Sequence, residues 1–450
     1  MTLTAACRAS WSGLFALSVT TLQAGLPEYV HKADPSYAWE LAGKSEGLGA
    51  SVYELRLISQ TWQGIAWKHN LNIFVPTTPP REAARGSALL MIDGGSQSGL
   101  TKKPGADAIL YGSMLADKIG VPVAVLRQVP NQPLLGDLKE DALIAETFRR
   151  FIETKDETWP LLLPMTKAAV RAMDAVGEFS ARDLGGKIDR FLVTGGSKRG
   201  WTTWLSAAVD PRVVALAPMV IDMLNSKPQM DHQLKVFGAW SDETKDYHAL
   251  LRLGENDDIR KLWSLVDPFS YREKLTQPKL VILGNNDPYW ATDALNIYWE
   301  GIPGPKWIHY VPNAGHNLTQ TAAGKKIPPM TAINTLGVFT RHHLTGQAMP
   351  LLEWKHDDAE GKPRLTAKAT VPPKSARLWT ANAPTQDFRT ATWAERPLKV
   401  DGASVTAGVD LPATGSTAFY ATFDYEFEGV PYYLCTQLRI VNAPGASAAK

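Results

Sequence analysis

Phe191-Leu192-Val193-Thr194-Gly195-Gly196-Ser197-Lys198-Arg199-Gly200-Trp201 passes from an apolar run through two glycines to a serine, and then into a helix-like segment from Arg199 to Ala208. It reads as a buried strand, a sharp turn and a helix. A serine hydroxyl is a poor nucleophile at neutral pH, so it needs a fixed, exposed position and a general base. A sharp strand-to-helix turn supplies the position and crowds the backbone, which favours glycine beside the serine. The usual pattern is G-x-S-x-G. Here Arg199 stands where the last glycine is expected and Gly200 follows it, giving G-x-S-x-x-G. By itself the stretch also fits a plain glycine-rich connection. It does not fit a phosphate loop, because Lys198 precedes the last glycine and no Ser or Thr follows in register. Nor does it carry the G-x-G-x-x-G spacing of a dinucleotide fold.

Outward from this turn, strands and helices alternate. Ser51 to Ser59 and Ala66 to Val75 read as two early strands joined by a short turn. Tyr29 to Glu40 before them reads as an irregular arm. Buried strands follow at Ala88 to Ile92, Val121 to Leu126, Ile188 to Thr194, Val213 to Ile221, Lys279 to Gly284 and Trp307 to Val311. Leu138 to Ala175 reads as helix in two pieces, split near Pro160. Such alternation predicts an α/β fold, a mostly parallel sheet with helices on both faces. Asn225 to Thr276 is too long for a simple crossover and reads as a helical cap over the carboxyl edge of the sheet. Near Pro350 the helical periodicity ends. Short alternating runs follow at Arg364 to Val371, Ala376 to Trp379, Arg389 to Trp393, Ala418 to Phe427 and Tyr432 to Val441, which predict an antiparallel β-sandwich over 350–450.

Bulk properties agree with a large globular protein. The chain has 450 residues, 44% hydrophobic and 20% charged, and a net charge of +2. That balance gives no reason to expect nucleic acid or an anionic membrane as a partner. No apolar run is long enough for a transmembrane helix. Residues 1–24 carry Arg8, a short apolar stretch and Leu22-Gln23-Ala24, the form of an export signal, so a periplasmic or secreted protein is expected. Residues 25–349 would form the main domain, and 444–450 a frayed tail. The two cysteines, Cys7 and Cys435, exclude a disulfide framework and a cysteine metal cluster. No metal or other cofactor is implied. Asp231-His232 and His356-Asp357-Asp358 read as solvated pairs, and His342 and His343 as an exposed helix face.

Ligands of such sheets sit at the carboxyl ends of the strands. Three strand ends bear groups in the order Ser, acid, His, the order that α/β-hydrolases use. Asp287, in Gly284-Asn285-Asn286-Asp287-Pro288, would hold an imidazole in one tautomer; the alternative is a simple Asp-Pro turn. His316, in Pro312-Asn313-Ala314-Gly315-His316, is the base, and Ser197 the nucleophile. Backbone N–H groups of Lys198, Gly94 and Gly95 would form the oxyanion hole. Arg199, Trp201, Asn225 and Trp290 are candidate substrate contacts, each equally readable as structural.

Thr194-Gly195-Gly196-Ser197-Lys198-Arg199-Gly200-Trp201-Thr202-Thr203-Trp204 and Asp222-Met223-Leu224-Asn225 resemble the PhoPQ-activated pathogenicity-related proteins. So do Gln128-Val129-Pro130-Asn131-Gln132-Pro133, the Asn286-Asp287-Pro288 strand end, Pro312-Asn313-Ala314-Gly315-His316, and Asp387-Phe388-Arg389 with Trp393. The resemblance implies an exported α/β-hydrolase-like protein with a C-terminal β domain and a Ser-Asp-His site, and supplies no substrate. The G-x-S-x-x-G spacing also resembles that of some carbohydrate esterases. The expectation is therefore a serine hydrolase acting on a small-molecule, peptide or glycan acyl compound. Ester cleavage comes first and peptide cleavage second. A different class, a secreted binding or signalling protein on the same scaffold, stands beside it.

Overall fold

In the computed structural model, which describes residues 25–322, 325–359 and 361–444, one long mixed sheet carries the chain from end to end. The leader expected over 1–24 and nearly all of the expected tail lie outside the described residues. A short helix α1 (Leu26–His31) leads into three antiparallel strands, β1 (Ala38–Gly47), β2 (Ala50–Trp62) and β3 (Ile65–Pro76). The segment expected as an irregular arm thus holds a helix and the start of β1. As an edge strand β1 is mostly solvated, so its sequence has no alternation to read.

The parallel part follows: β4 (Ser87–Ile92), α2 (Ala106–Ile119), β5 (Val123–Leu126), α3 (Glu140–Thr154), α4 (Leu162–Asp183), β6 (Arg190–Gly196), α5 (Lys198–Val209) and β7 (Val213–Met219). The helical insertion over 225–276 contains α6 (Ser226–Phe237), α7 (His248–Leu251) and α8 (Asp257–Val266). Then come β8 (Lys279–Gly284) and β9 (Lys306–Val311), a small hairpin of β10 (Gln320–Ala322) and β11 (Lys325–Ile327), and α9 (Met330–Leu344). The sheet order is β1-β2-β3-β5-β4-β6-β7-β8-β9, and β4 through β9 run parallel. Neighbouring residues of one strand enter two separate cores. Leu90, Val193 and Val281 face α4 and α5; Leu89, Leu192 and Leu280 face α2 and α9. Burial on both faces is why these strands read as unbroken apolar runs.

The C-terminal strands are β12 (Leu352–Ala359), β13 (Lys362–Ala369), β14 (Ser375–Ala383), β15 (Ala394–Leu398), β16 (Ser404–Gly408), β17 (Ser416–Phe427), β18 (Val430–Cys435) and β19 (Arg439–Asn442). They are antiparallel and pair in two sheets, in the orders β12-β13-β16 and β18-β17-β14-β15, and Leu365, Ala367, Val405, Leu378 and Phe423 share a buried hydrophobic cluster with Leu89, Leu192 and Leu280. The β18-β17-β14-β15 strands are part of the main sheet, because β18 continues it beside β9, Cys435 opposite Ile308. Residues 389–393, expected as a strand, form a loop before β15. The expected exposed face of α9 is also corrected. The His342 ring packs on Phe427 and is buried, and His343 packs against Trp307 and Phe339, because α9 lies against β18. No helix among the described residues is long and apolar enough to cross a membrane.

Candidate active site

Ser197 stands between β6 and α5 with φ 56° and ψ −127°, a strained backbone that projects its side chain from a tight turn. Its N–H donates to Met219 O of the neighbouring strand at 2.8 Å. The departure from G-x-S-x-G has a steric reason. A Cβ on Gly200 would lie 2.7 Å from Ile221 Cγ2 and 2.9 Å from both Gly195 O and Met219 O, so glycine is required there. At the preceding position a side chain is accommodated. Arg199 donates from Nη1 and Nη2 to Glu140 at 2.8 Å each, and from Nε to Val129 O.

His316 Nε2 lies 2.8 Å from Ser197 Oγ, and His316 Nδ1 lies 2.8 Å from Asp287 Oδ2. Three residues 119 and 29 positions apart in the chain thus make one hydrogen-bonded series. Asp287 is buried and its Oδ1 accepts the Tyr289 N–H at 2.9 Å. The Tyr289 ring stacks on His316 with centroids 4.1 Å apart, fixing the plane of the imidazole.

Lys198 opens helix α5, so its N–H has no acceptor within the helix. Across from it is the loop after β4. There Gly94 N–H donates to Asp93 Oδ1 at 2.8 Å, so Gly94 does not offer its N–H as expected; Gly95, at φ 126°, remains the donor candidate. Gly94 is needed for another reason, since a Cβ on it would meet Arg199 Nη2 at 2.7 Å. The 128–133 stretch braces this loop. Gln128 N–H donates to Gly94 O, Gln97 N–H to Gln132 O, and Gln132 Nε2 to Gly95 O and Glu140.

Glu140, which the sequence did not single out, is the hub. Burial acts against its charge, but Arg199's hydrogen bonds, with the Arg199 and Lys198 charges, hold its carboxyl down at about 2. Lys198 Nζ lies 3.2 Å from Glu140 and 3.0 Å from Asp141, whose other oxygen accepts from the Tyr247 hydroxyl. No side-chain pattern marks these residues in the sequence, because their charged partners, Lys198 and Arg199, are nearly sixty positions away.

Ser197, Lys198, Trp201, Tyr289 and Trp290 line a mainly apolar cleft with Asp141 at one side. Trp201 is buried, with its indole N–H bonded to Val266 O. Asn225 lines an adjoining cavity, and Arg199 lines neither. Beyond the cleft, His232 pairs with Asp293 at 2.7 Å and His356 with Gln437 O at 3.0 Å, both half-buried where solvated surface was expected. Among the described residues no three or more His, Cys, Asp or Glu side chains cluster as metal ligands would.

A family model described as PhoPQ-activated pathogenicity-related protein matches residues 26–389. Autocrine proliferation repressor protein A of Dictyostelium discoideum is 33% identical over 402 residues, covering 84% of this chain and 78% of that protein. Among solved structures, acetyl xylan esterase 1 from Thermoanaerobacterium is 17% identical with a TM-score of 0.47, covering 71% of this chain and 93% of its own. An acetyl xylan esterase from Paenibacillus is 13% identical with a TM-score of 0.46, covering 65% of this chain and 86% of its own.

Proposed function

We propose that this chain, which belongs to the PhoPQ-activated pathogenicity-related protein family, is a serine hydrolase that cleaves an ester through an acyl-enzyme. One observation carries the reading: the unbroken hydrogen-bonded series Asp287–His316–Ser197, with the serine on a strained turn at the mouth of an apolar cleft. Ser197 Oγ attacks the ester carbonyl as His316 Nε2 takes its proton. Asp287 stabilises the resulting imidazolium and holds its tautomer. The N–H groups of Lys198 and Gly95 receive the negative oxygen of the tetrahedral intermediate. The intermediate collapses, the alcohol leaves with the proton from His316, and water, deprotonated by the same imidazole, releases the acid and regenerates Ser197. An ester is favoured over a peptide because an alkoxide leaves more readily than an amine; the same groups serve both.

A second reading has one observation in its favour, the name of the Dictyostelium relative, which describes repression of proliferation. On that reading the scaffold binds or signals without turnover. A fluorophosphonate probe separates the two. Covalent labelling of the wild type, lost in Ser197→Ala, is expected, with ester hydrolysis reduced about 10⁴-fold or more in Ser197→Ala and His316→Ala and by about 10⁴ in Asp287→Asn. A folded wild type that the probe never labels would leave only the binding reading.

A further inference from the structure

The chamber beside Ser197 is small. Trp201, Trp263 and Trp290, with Met223, Met230 and Leu251, close in around the serine and leave about 50 Å³ of free space. A single water needs about 10–15 Å³ on that measure, so the chamber takes roughly three to five non-hydrogen atoms. Asp141 and Lys198, the charged side chains on its wall, answer each other. Asp141 Oδ2 lies 3.0 Å from Lys198 Nζ, and its Oδ1 accepts from the Tyr247 hydroxyl. A charged group entering the chamber would lose its water and find both of these already paired, which disfavours it.

The lining also tells which half of an ester would enter. It includes Ser197 and Lys198, whose N–H receives the carbonyl oxygen in the proposed reaction, and His316 is not part of it. The alcohol takes its proton from His316 Nε2 as it leaves, so it belongs on the imidazole side. The acyl chain stays on Ser197 Oγ through the acyl-enzyme and is the half that faces the chamber. We propose that this chamber is the acyl pocket, and that it admits a short, uncharged acyl group of two to about four carbons, acetyl to butyryl. The inference rests on the hydrolase reading and narrows it to one substrate class, esters of short carboxylic acids, with the alcohol not limited by this chamber.

The test compares p-nitrophenyl acetate, butyrate and octanoate for the acyl side, and ethyl, butyl and octyl acetate for the alcohol side, using the full chain. On the acyl side, kcat/KM for the better of the two short esters is expected to exceed that for octanoate at least tenfold. Octyl acetate should lose less than that relative to ethyl acetate. Leu251→Ala and Met230→Ala, on the half-buried cap wall, enlarge the chamber. At least one of them should cut the acyl-side ratio fivefold or more. Melting temperature identifies the variants that fold; if neither does, the wild-type series decides alone. An acyl-side loss under tenfold, a loss matched on the alcohol side, or folded variants none of which changes the ratio fivefold overturns the proposal. A folded wild type that hydrolyses none of the esters and is never labelled by a fluorophosphonate overturns the hydrolase reading and this inference with it, whereas hydrolysis without an acyl-length limit overturns this inference alone.

Discussion

Gly200 lies where α5 presses on the end of β7, and the contact leaves no space for a methyl group: the atoms in the way are Ile221 Cγ2 and two carbonyl oxygens. Two of the three are backbone and cannot swing aside. Gly200→Ala should therefore destabilise the fold by about 1–3 kcal/mol through overpacking, read as a lowered denaturant midpoint. Arg199→Gly, which would restore the commoner G-x-S-x-G spacing, should also destabilise, by about 1.5–3 kcal/mol, because Glu140 loses its two-pronged partner. A neutral Arg199→Gly would show that the guanidinium is dispensable. Asp222, at the end of β7, makes a different demand. It is buried with one oxygen lacking a hydrogen-bond partner, and burial, with Asp287 and Asp293 nearby, pushes its carboxyl up to about 8 from the ordinary 3.8. Between those values the folded chain holds a proton that the unfolded chain has released, so stability falls as pH rises through this window. Asp222→Asn keeps the shape and removes the charge. Its gain in melting temperature should be small near pH 4 and grow to several degrees by about pH 8. A gain of equal size at both ends would mean that Asp222 is already ionised in the fold.

Helix α6 of the cap is bolted to the loop that carries Asp287. Gln233 Nε2 donates to Tyr289 O at 2.7 Å, its Oε1 accepts Ser241 N–H, and Ser241 Oγ donates to Pro288 O at 2.7 Å. The same loop places the Tyr289 ring on His316, so the cap and His316 share one support. Gln233→Leu should speed amide hydrogen exchange over 286–293 and lower kcat about tenfold while KM for a short ester stays within threefold. Unchanged exchange in that loop would show that the cap does not hold it. The sequence made the strand ends that carry Ser197, Asp287 and His316 legible for a physical reason. Each of Ser197, Asp287 and His316 follows an apolar strand whose both faces are buried, and such strands have unmistakable ends. It left the supports illegible. Glu140, Gln132 and Gln233 sit in ordinary polar surroundings in the chain, and their roles come from partners 8 to 59 residues away that only the fold assembles. The stretch 389–393 was misread as a strand from its alternation, because its apolar side chains pack as a loop.

That loop ties the C-terminal strands to the loops that carry Asp287 and His316. Asn286 Nδ2, one residue before Asp287, donates to Phe388 O at 3.0 Å and Ala391 O at 2.7 Å. Asn313, three before His316, donates to Trp393 O at 2.9 Å and accepts the Trp393 N–H at 2.8 Å. Tyr420 in β17 donates to Asn285 Oδ1, and Trp307 in β9 to Pro350 O. The loops that carry Asp287 and His316 are therefore both held from a part of the chain that the sequence presents as a separate β domain. With β18 also continuing the main sheet beside β9, the described residues join the two parts of the chain across residue 350. The expected thermal behaviour is a single cooperative transition in which calorimetric and van't Hoff enthalpies agree. Two resolved transitions would make the C-terminal strands an independent unit. Asn313→Ala removes both bonds to Trp393 at a cost of about 1–3 kcal/mol. Because those bonds hold the His316 loop, hydrolysis and fluorophosphonate labelling should slow at least tenfold at temperatures where the variant is still fully folded. A variant that loses stability but labels at the wild-type rate would confine the C-terminal strands to a structural part, and leave the positioning of His316 to Asp287 and Tyr289.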